Sequence, residues 1–148
     1  MDHQEVKQSF LEIEGSRIAY LESGFGETIL LVHGITTYSF IWQDIISILS
    51  KNYNVIAIDL LGCGDSDKPL DKSYSLTTHA LTIYKFVKAK GINKFHFVGH
   101  DLGGGIAQIF AVNYSELLFD FSVLNSVAYN FWPVQPIIAM RTPIVRQL

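Results

Sequence analysis

The chain has 148 residues, enough for one domain with a real core and too few to expect a second. Apolar residues make up 49% of it and charged ones 17%, values at the hydrophobic end of the globular range. A net charge of −3 offers no electrostatic footprint for nucleic acid or an anionic membrane, and neither is expected as a partner.

No apolar run approaches the ~20 residues that a membrane-spanning helix needs. The polar start Met1-Asp2-His3-Gln4-Glu5 is unlike a signal peptide. Cys63 is the sole cysteine, so an internal disulfide is excluded and a reducing cytoplasm is the expected location. No Cys/His spacing suggests a metal site, and no cofactor is expected.

In chain order, Phe10–Glu14 and Arg17–Glu22 alternate in polarity around Gly15-Ser16, the period-two signal of a hairpin. Thr28–Val32 is continuously apolar, as a strand buried on both faces of a parallel sheet would be. His33-Gly34-Ile35-Thr36-Thr37 follows as a loop. Ser39 is then expected to cap a helix through about Ser50, with Ile41, Ile45, Ile48 and Leu49 at helical spacing. Asn54–Asp59 reads as the next buried strand, and Leu61–Pro69 as a Gly/Asp/Ser/Pro loop. Ser75 suits the cap of a helix over about Leu76–Lys90, ended by Gly91. Its expected inner face is Leu76, Ala80, Ile83, Tyr84 and Val87.

Lys94–Val98 reads as a short buried strand and Ile106–Tyr114 as an apolar helix. Between them stands Gly99-His100-Asp101-Leu102-Gly103-Gly104-Gly105. A Gly-x-Asp-x-Gly between strand and helix has the shape of a nucleophile elbow, with Asp where Ser is usual. Gly99 and Gly103 would let the backbone turn sharply and the helix lie close to the strand. The helix N-terminus would favour the carboxylate of Asp101. A last strand is expected over about Phe119–Leu124. Pro133, Pro136 and Pro143 then mark a change of pattern. A hairpin followed by alternating strands and helices implies an α/β fold, a mostly parallel sheet with helices on both faces. The site of such a sheet lies outside the carboxyl ends of its strands, where His33, Asp59 and Asp101 all fall.

Other candidates have plainer readings. His33 reads as a hydrogen-bonder that shapes its loop rather than a base, and His100 as a neighbour of the elbow. Trp42 reads as core. Cys63 has no basic residue close beside it and is expected to be unreactive. Gly62-Cys63-Gly64 lacks the third glycine and following helix of a dinucleotide fingerprint.

Taken together, Leu31-Val32-His33-Gly34, the Asp59-x-x-Gly62-x-Gly64-x-Ser66 loop and the Gly99–Gly104 elbow resemble the α/β-hydrolase fold from about Phe10 onward. Asp at the elbow, preceded by His100, resembles the branch with a carboxylate nucleophile: epoxide hydrolases, haloalkane dehalogenases and fluoroacetate dehalogenases. The resemblance implies that Asp101 attacks an electrophilic carbon of a small-molecule substrate to form an alkyl ester. It implies an oxyanion hole of the backbone N–H groups of Leu102 and Ile35. Gly34, Thr36, His33, His100 and Trp132 are then candidates for shaping the loop or lining the pocket, with Trp132 either lining it or anchoring a cap.

Several positions depart from the branch. Thr36 stands where epoxide hydrolases usually carry Pro. Leu102 stands where dehalogenases carry a halide-donating Trp or Arg, and Ile35 where an Asn often donates as well. Dehalogenation is therefore less expected than the Asp alone suggests. By the resemblance, residues 1–128 are the N-terminal part of a hydrolase core, truncated before its last strands, and 129–148 the start of a cap region. The triad acid and general-base His would follow the cap, and none of His3, His33, His79, His96 and His100 holds that position. An ester on Asp101 without that base would not turn over. The alternative is a non-catalytic remnant of the fold that binds a ligand or a partner. The Phe119–Leu124 edge is expected to be apolar and to pair with a second chain or another copy.

Overall fold

The computed structural model describes residues 5–128; the expected cap region over 129–148, Trp132 included, lies outside them. Strands β1 (Lys7–Ile13) and β2 (Ser16–Ser23) form the hairpin, with Ile13 opposite Ser16. The connecting Glu14 and Gly15 have φ of 51° and 72°, as the tight turn that matches strand twist requires. Strands β3 (Thr28–Val32), β4 (Asn54–Ile58), β5 (Phe95–His100) and β6 (Leu118–Leu124) complete a six-stranded sheet in the order β1-β2-β4-β3-β5-β6. The hairpin joins through an antiparallel β2–β4 pairing, and β4-β3-β5-β6 run parallel. Every residue of the central strand β3 is buried, the reason its sequence shows no alternation.

Alternate side chains of the sheet feed two cores. Leu30, Val32, Ile56, Ile58, Phe95 and Phe97 face helices α2 (Leu76–Ala89) and α3 (Leu102–Asn113). Ile29, Leu31, Val55 and Ala57 face α1 (Gln43–Leu49). No helix among the described residues is long and apolar enough to cross a membrane.

The first helix differs from expectation. Ser39 does not cap it; a 3-10 turn over Ser39–Trp42 precedes α1. The Ser39 N–H instead donates to Asp59 Oδ1 at 2.7 Å, which draws the turn onto the sheet. The inward face is Trp42 and Ile46, flanked by Ile41 and Leu49. Ile45 and Ile48 are 39% and 59% exposed. One residue of register rotates a helix face by about 100°, so an isoleucine-rich stretch leaves its face undetermined until the sheet selects it.

Helix α2 begins as its sequence implies, with Ser75 Oγ accepting the Thr78 N–H at 3.1 Å. At its end Ile92 N–H reaches Val87 O (2.9 Å) and Gly91 N–H reaches Lys88 O (3.0 Å). Gly91 sits at φ 71°, completing a Schellman closure. Its buried face is His79, Ala80, Ile83, Phe86 and Val87; Leu76 and Tyr84 lie at the margin of the core.

At the far edge, β6 pairs only with β5 among the described residues. Phe119, Phe121, Val123 and Leu124 are each 43–46% exposed.

Candidate functional site

The junction of β5 and α3 is tightly constrained. Asp101 stands between them at φ 52° and ψ −115°, a conformation that costs a non-glycine residue on the order of 1–3 kcal/mol. Its surroundings hold it there. The Asp101 N–H donates to Leu124 O at 3.0 Å, and Asp101 O accepts from Gly104 N (3.0 Å) and Gly105 N (3.3 Å).

Glycine permits the close approach. A Cβ at Gly99 would lie 2.2 Å from Gly103 O, and one at Gly103 would lie 2.3 Å from Val32 O. The start of α3 therefore rests on the backbone of β3 and β5 with no side chain between. A Cβ at Gly34 would lie 2.7 Å from Asp101 Oδ2, so the loop after β3 also runs directly against the carboxylate.

That loop supplies a donor. Ile35 N–H reaches Asp101 Oδ2 at 2.9 Å. Gly34 O is held from both sides, by His33 Nδ1 at 2.7 Å and Thr37 Oγ1 at 2.9 Å. Thr36 takes φ 59°, uncommon for a β-branched residue, and this turns the chain just past Ile35. Leu102 opens α3, where its N–H has no acceptor within the helix. Ile35 thus reaches Asp101 from the loop after β3, while Leu102 follows it in the chain at the first position of α3.

His33 is buried, and its ring is fully used. Nε2 accepts the Leu60 N–H at 3.0 Å, which assigns the ring proton to Nδ1 and the bond to Gly34 O. Burial pushes its pKa below the usual imidazole value, against the opposing pull of the Gly34 carbonyl and the Asp59 charge. Protonating Nε2 would break the bond to Leu60, so His33 braces the loop in its neutral form. His100, at the end of β5, is half-buried, with no partner for Nδ1 among the described residues. No histidine among the described residues hydrogen-bonds Asp101.

Asp59, which the sequence places at the carboxyl edge of the sheet and at the head of a loop motif, is an anchor. Its carboxylate accepts Ser39 N–H at 2.7 Å and Asp65 N–H at 2.8 Å. Ser66 Oγ donates to Asp59 O (2.7 Å) and accepts Ala19 N–H (2.8 Å). With both oxygens engaged and the residue buried, Asp59 organises two loops beside the site. Cys63 follows on the same loop; burial and the Asp59 charge raise its thiol pKa, which suppresses the thiolate.

Sequence reasoning passed over Gln108. It is the sole polar side chain between Leu102 and Val112, and that isolation was the available signal. Its Nε2 lies 3.0 Å from both Ser126 Oγ and Val127 O.

The chain is similar in sequence and fold to known proteins. Residues 27–131 fit the family model described as alpha/beta hydrolase fold. Haloalkane dehalogenase 2 of Mycobacterium tuberculosis is 36% identical over 117 residues, covering 79% of this chain and 40% of that protein. The soluble epoxide hydrolase of a Corynebacterium species is 33% identical over 115 residues, covering 78% and 40%. Among solved structures, epoxide hydrolase CorEH superposes with a TM-score of 0.81 at 30% identity, over 93% of this chain and 50% of that one. The chain spans 32–42% of the length of such curated relatives. With sheet order, elbow and family model in agreement, the chain belongs to the α/β-hydrolase fold family.

Proposed function

We propose that Asp101 is the nucleophile of a hydrolase acting on a small, largely apolar electrophile, an epoxide or haloalkane, or on an ester. The observation that carries this reading is the Ile35 N–H bond to Asp101 Oδ2 at 2.9 Å. It leaves Oδ1 to attack carbon, with the electron pair of the broken C–O or C–halogen bond leaving on oxygen or halide. In the next step water would add to the Asp101 carbonyl carbon. Oδ2 would then carry the developing charge, already within reach of Ile35 N–H, with Leu102 N–H as the second donor. The names of the dehalogenase and epoxide hydrolase relatives support carbon electrophiles as the substrate class.

The general base is proposed to come from outside the described residues, on a longer product of the same gene or on another chain. Intact-mass measurement after incubation with epoxides and haloalkanes tests the nucleophile. A stable adduct is expected on the wild-type chain and none on Asp101→Asn. A second reading, a ligand-binding module without turnover, draws support from His33, whose ring nitrogens are both engaged. The absence of an adduct with every electrophile would favour it.

A further inference from the structure

We propose that Gln108 is a positioning residue that fixes one wall of the Asp101 site by clamping the Ser126–Val127 segment onto α3. The proposal rests on the nucleophile reading of Asp101 and adds a determinant of which electrophiles fit.

The chain leaves β6 through Asn125 at φ 44° and then lies directly on the first turn of α3. A Cβ at Gly104 would meet Ser126 Oγ at 2.4 Å, and one at Gly105 would meet Val127 Cγ2 at 2.5 Å. The run of three glycines therefore does two jobs: Gly103 admits the strand backbone, and Gly104 and Gly105 admit this segment. Contact that close leaves no room for a side chain to grip from the helix's first turn. The grip comes from one turn further on.

Gln108 Nε2 faces three acceptors: Ser126 Oγ at 3.0 Å, Val127 O at 3.0 Å and Gly104 O at 3.2 Å. Ser126 Oγ spends its proton on Val127 O at 2.9 Å, so its lone pair is what meets the amide. An isolated glutamine often does no more than bond back to its own helix, here Gly104 O. Two of the three contacts instead leave the helix, and both end on the same dipeptide. Beyond them, the one hydrogen bond among the described residues from this segment to the elbow is Val127 N–H to Asp101 O, at a long 3.3 Å. Gln108 thus couples the Ser126–Val127 segment to the helix that begins directly after Asp101. Its role needs a donor: a carboxylate of equal shape would face three oxygens with nothing to offer.

The experiment compares wild-type chain with Gln108→Glu, Gln108→Met and Gln108→Lys in two measurements. One is amide hydrogen exchange at Val127. The other is the concentration dependence of Asp101 alkylation, by intact mass, for terminal epoxides of increasing chain length. Losing one or two hydrogen bonds should speed Val127 exchange about tenfold in the Glu and Met variants. It should raise the half-saturating concentration of long epoxides by about tenfold as well. The maximal rate with the shortest epoxide should stay within about twofold, because the carboxylate itself is untouched. Gln108→Lys, which keeps a donor at similar reach, should return both measurements toward wild type.

Unchanged Val127 exchange and unchanged half-saturation in Gln108→Glu would overturn the proposal. So would an equal loss of maximal rate for every epoxide that Gln108→Lys fails to restore, the mark of a merely structural residue. If wild-type chain is never alkylated, the nucleophile reading fails. The clamp is then decided by Val127 exchange, which overturns it if the Glu variant matches wild type.

Discussion

Ile35 and Asp101, 66 positions apart in sequence, are joined by a 2.9 Å bond from the Ile35 N–H to Oδ2 of the carboxylate. The bond exists because β3 and β5 are adjacent parallel strands, so the loops leaving their carboxyl ends meet. It also separates the two carboxylate oxygens into one that is held and one that has no hydrogen-bond partner among the described residues.

Ile35→Pro removes this donor and leaves the Asp101 side chain in place. Once an ester has been formed on Asp101, added imidazole can stand in for the base. Its hydrolysis is expected to be slower in Ile35→Pro by about 10²–10³, the usual effect of losing one oxyanion donor. Adduct half-life followed by intact mass checks this; equal half-lives in the two proteins would count against an oxyanion role for Ile35.

Asp101 is held at φ 52° by its surroundings rather than by preference. Asp101→Gly should therefore stabilise the fold by about 1 kcal/mol while abolishing any adduct. Thermal unfolding should show Tm higher by about 2–4 °C. A lower Tm would mean that the Ile35 bond outweighs the backbone strain.

The glycines of the elbow and the glycine after α2 should respond differently to alanine. At Gly99 and Gly103 the added methyl meets backbone carbonyl groups at 2.2 and 2.3 Å, which cannot swing aside. Each substitution is expected to cost about 3 kcal/mol or more. Gly91 has open space around it but φ of 71°, so Gly91→Ala should cost only about 1 kcal/mol. Chemical denaturation of the three variants distinguishes the cases.

His79 is buried, with no partner for Nδ1 among the described residues. Burial foremost, and then the neighbouring His33, lower its pKa from 6.5 to about 4. Above pH 6.5 neither the folded nor the unfolded chain holds the proton, and the group does not affect stability. Between that value and about 4, the unfolded chain binds a proton that the folded one refuses. Stability should thus decline on acidification across this window, by roughly 3 kcal/mol in all, and level off below it. His33, lowered in the same direction, adds to the decline. Denaturation curves at intervals from pH 7.5 to 3.5 should show a shallower fall in His79→Leu, which also removes the orphaned nitrogen. An identical slope would exclude His79.

The exposed β6 edge is proposed to bind a second chain or another copy. Phe121→Lys places a charge on it and should reduce self-association and raise solubility, as charges do on natural edge strands. Sedimentation velocity over a range of concentrations checks this. A wild-type chain that stays monomeric throughout would argue against the edge as an interface.

Local chemistry alone determined much of this protein. Period-two alternation around Gly15, a fully apolar β3, the Ser75 cap and the Gly91 stop are each decided by neighbours in sequence, and each element forms where those neighbours require. The glycine spacing around Asp101 is equally local, because a sharp strand-to-helix turn has few steric solutions. Tertiary structure decided what depends on distant partners. It rotated α1 onto Trp42 and Ile46, since a helix rich in isoleucine has no unique face until a sheet is laid against it. It drew Ser39 away from capping and onto Asp59, because a buried carboxylate must find donors. It engaged both nitrogens of His33 and set the lone glutamine of α3 on the Ser126–Val127 segment. Hydrogen bonds between loops depend on which strands lie side by side, and strand order is a property of the whole chain. The elbow could be read from its own residues. The donor that holds one Asp101 oxygen, and the braces behind it, could not.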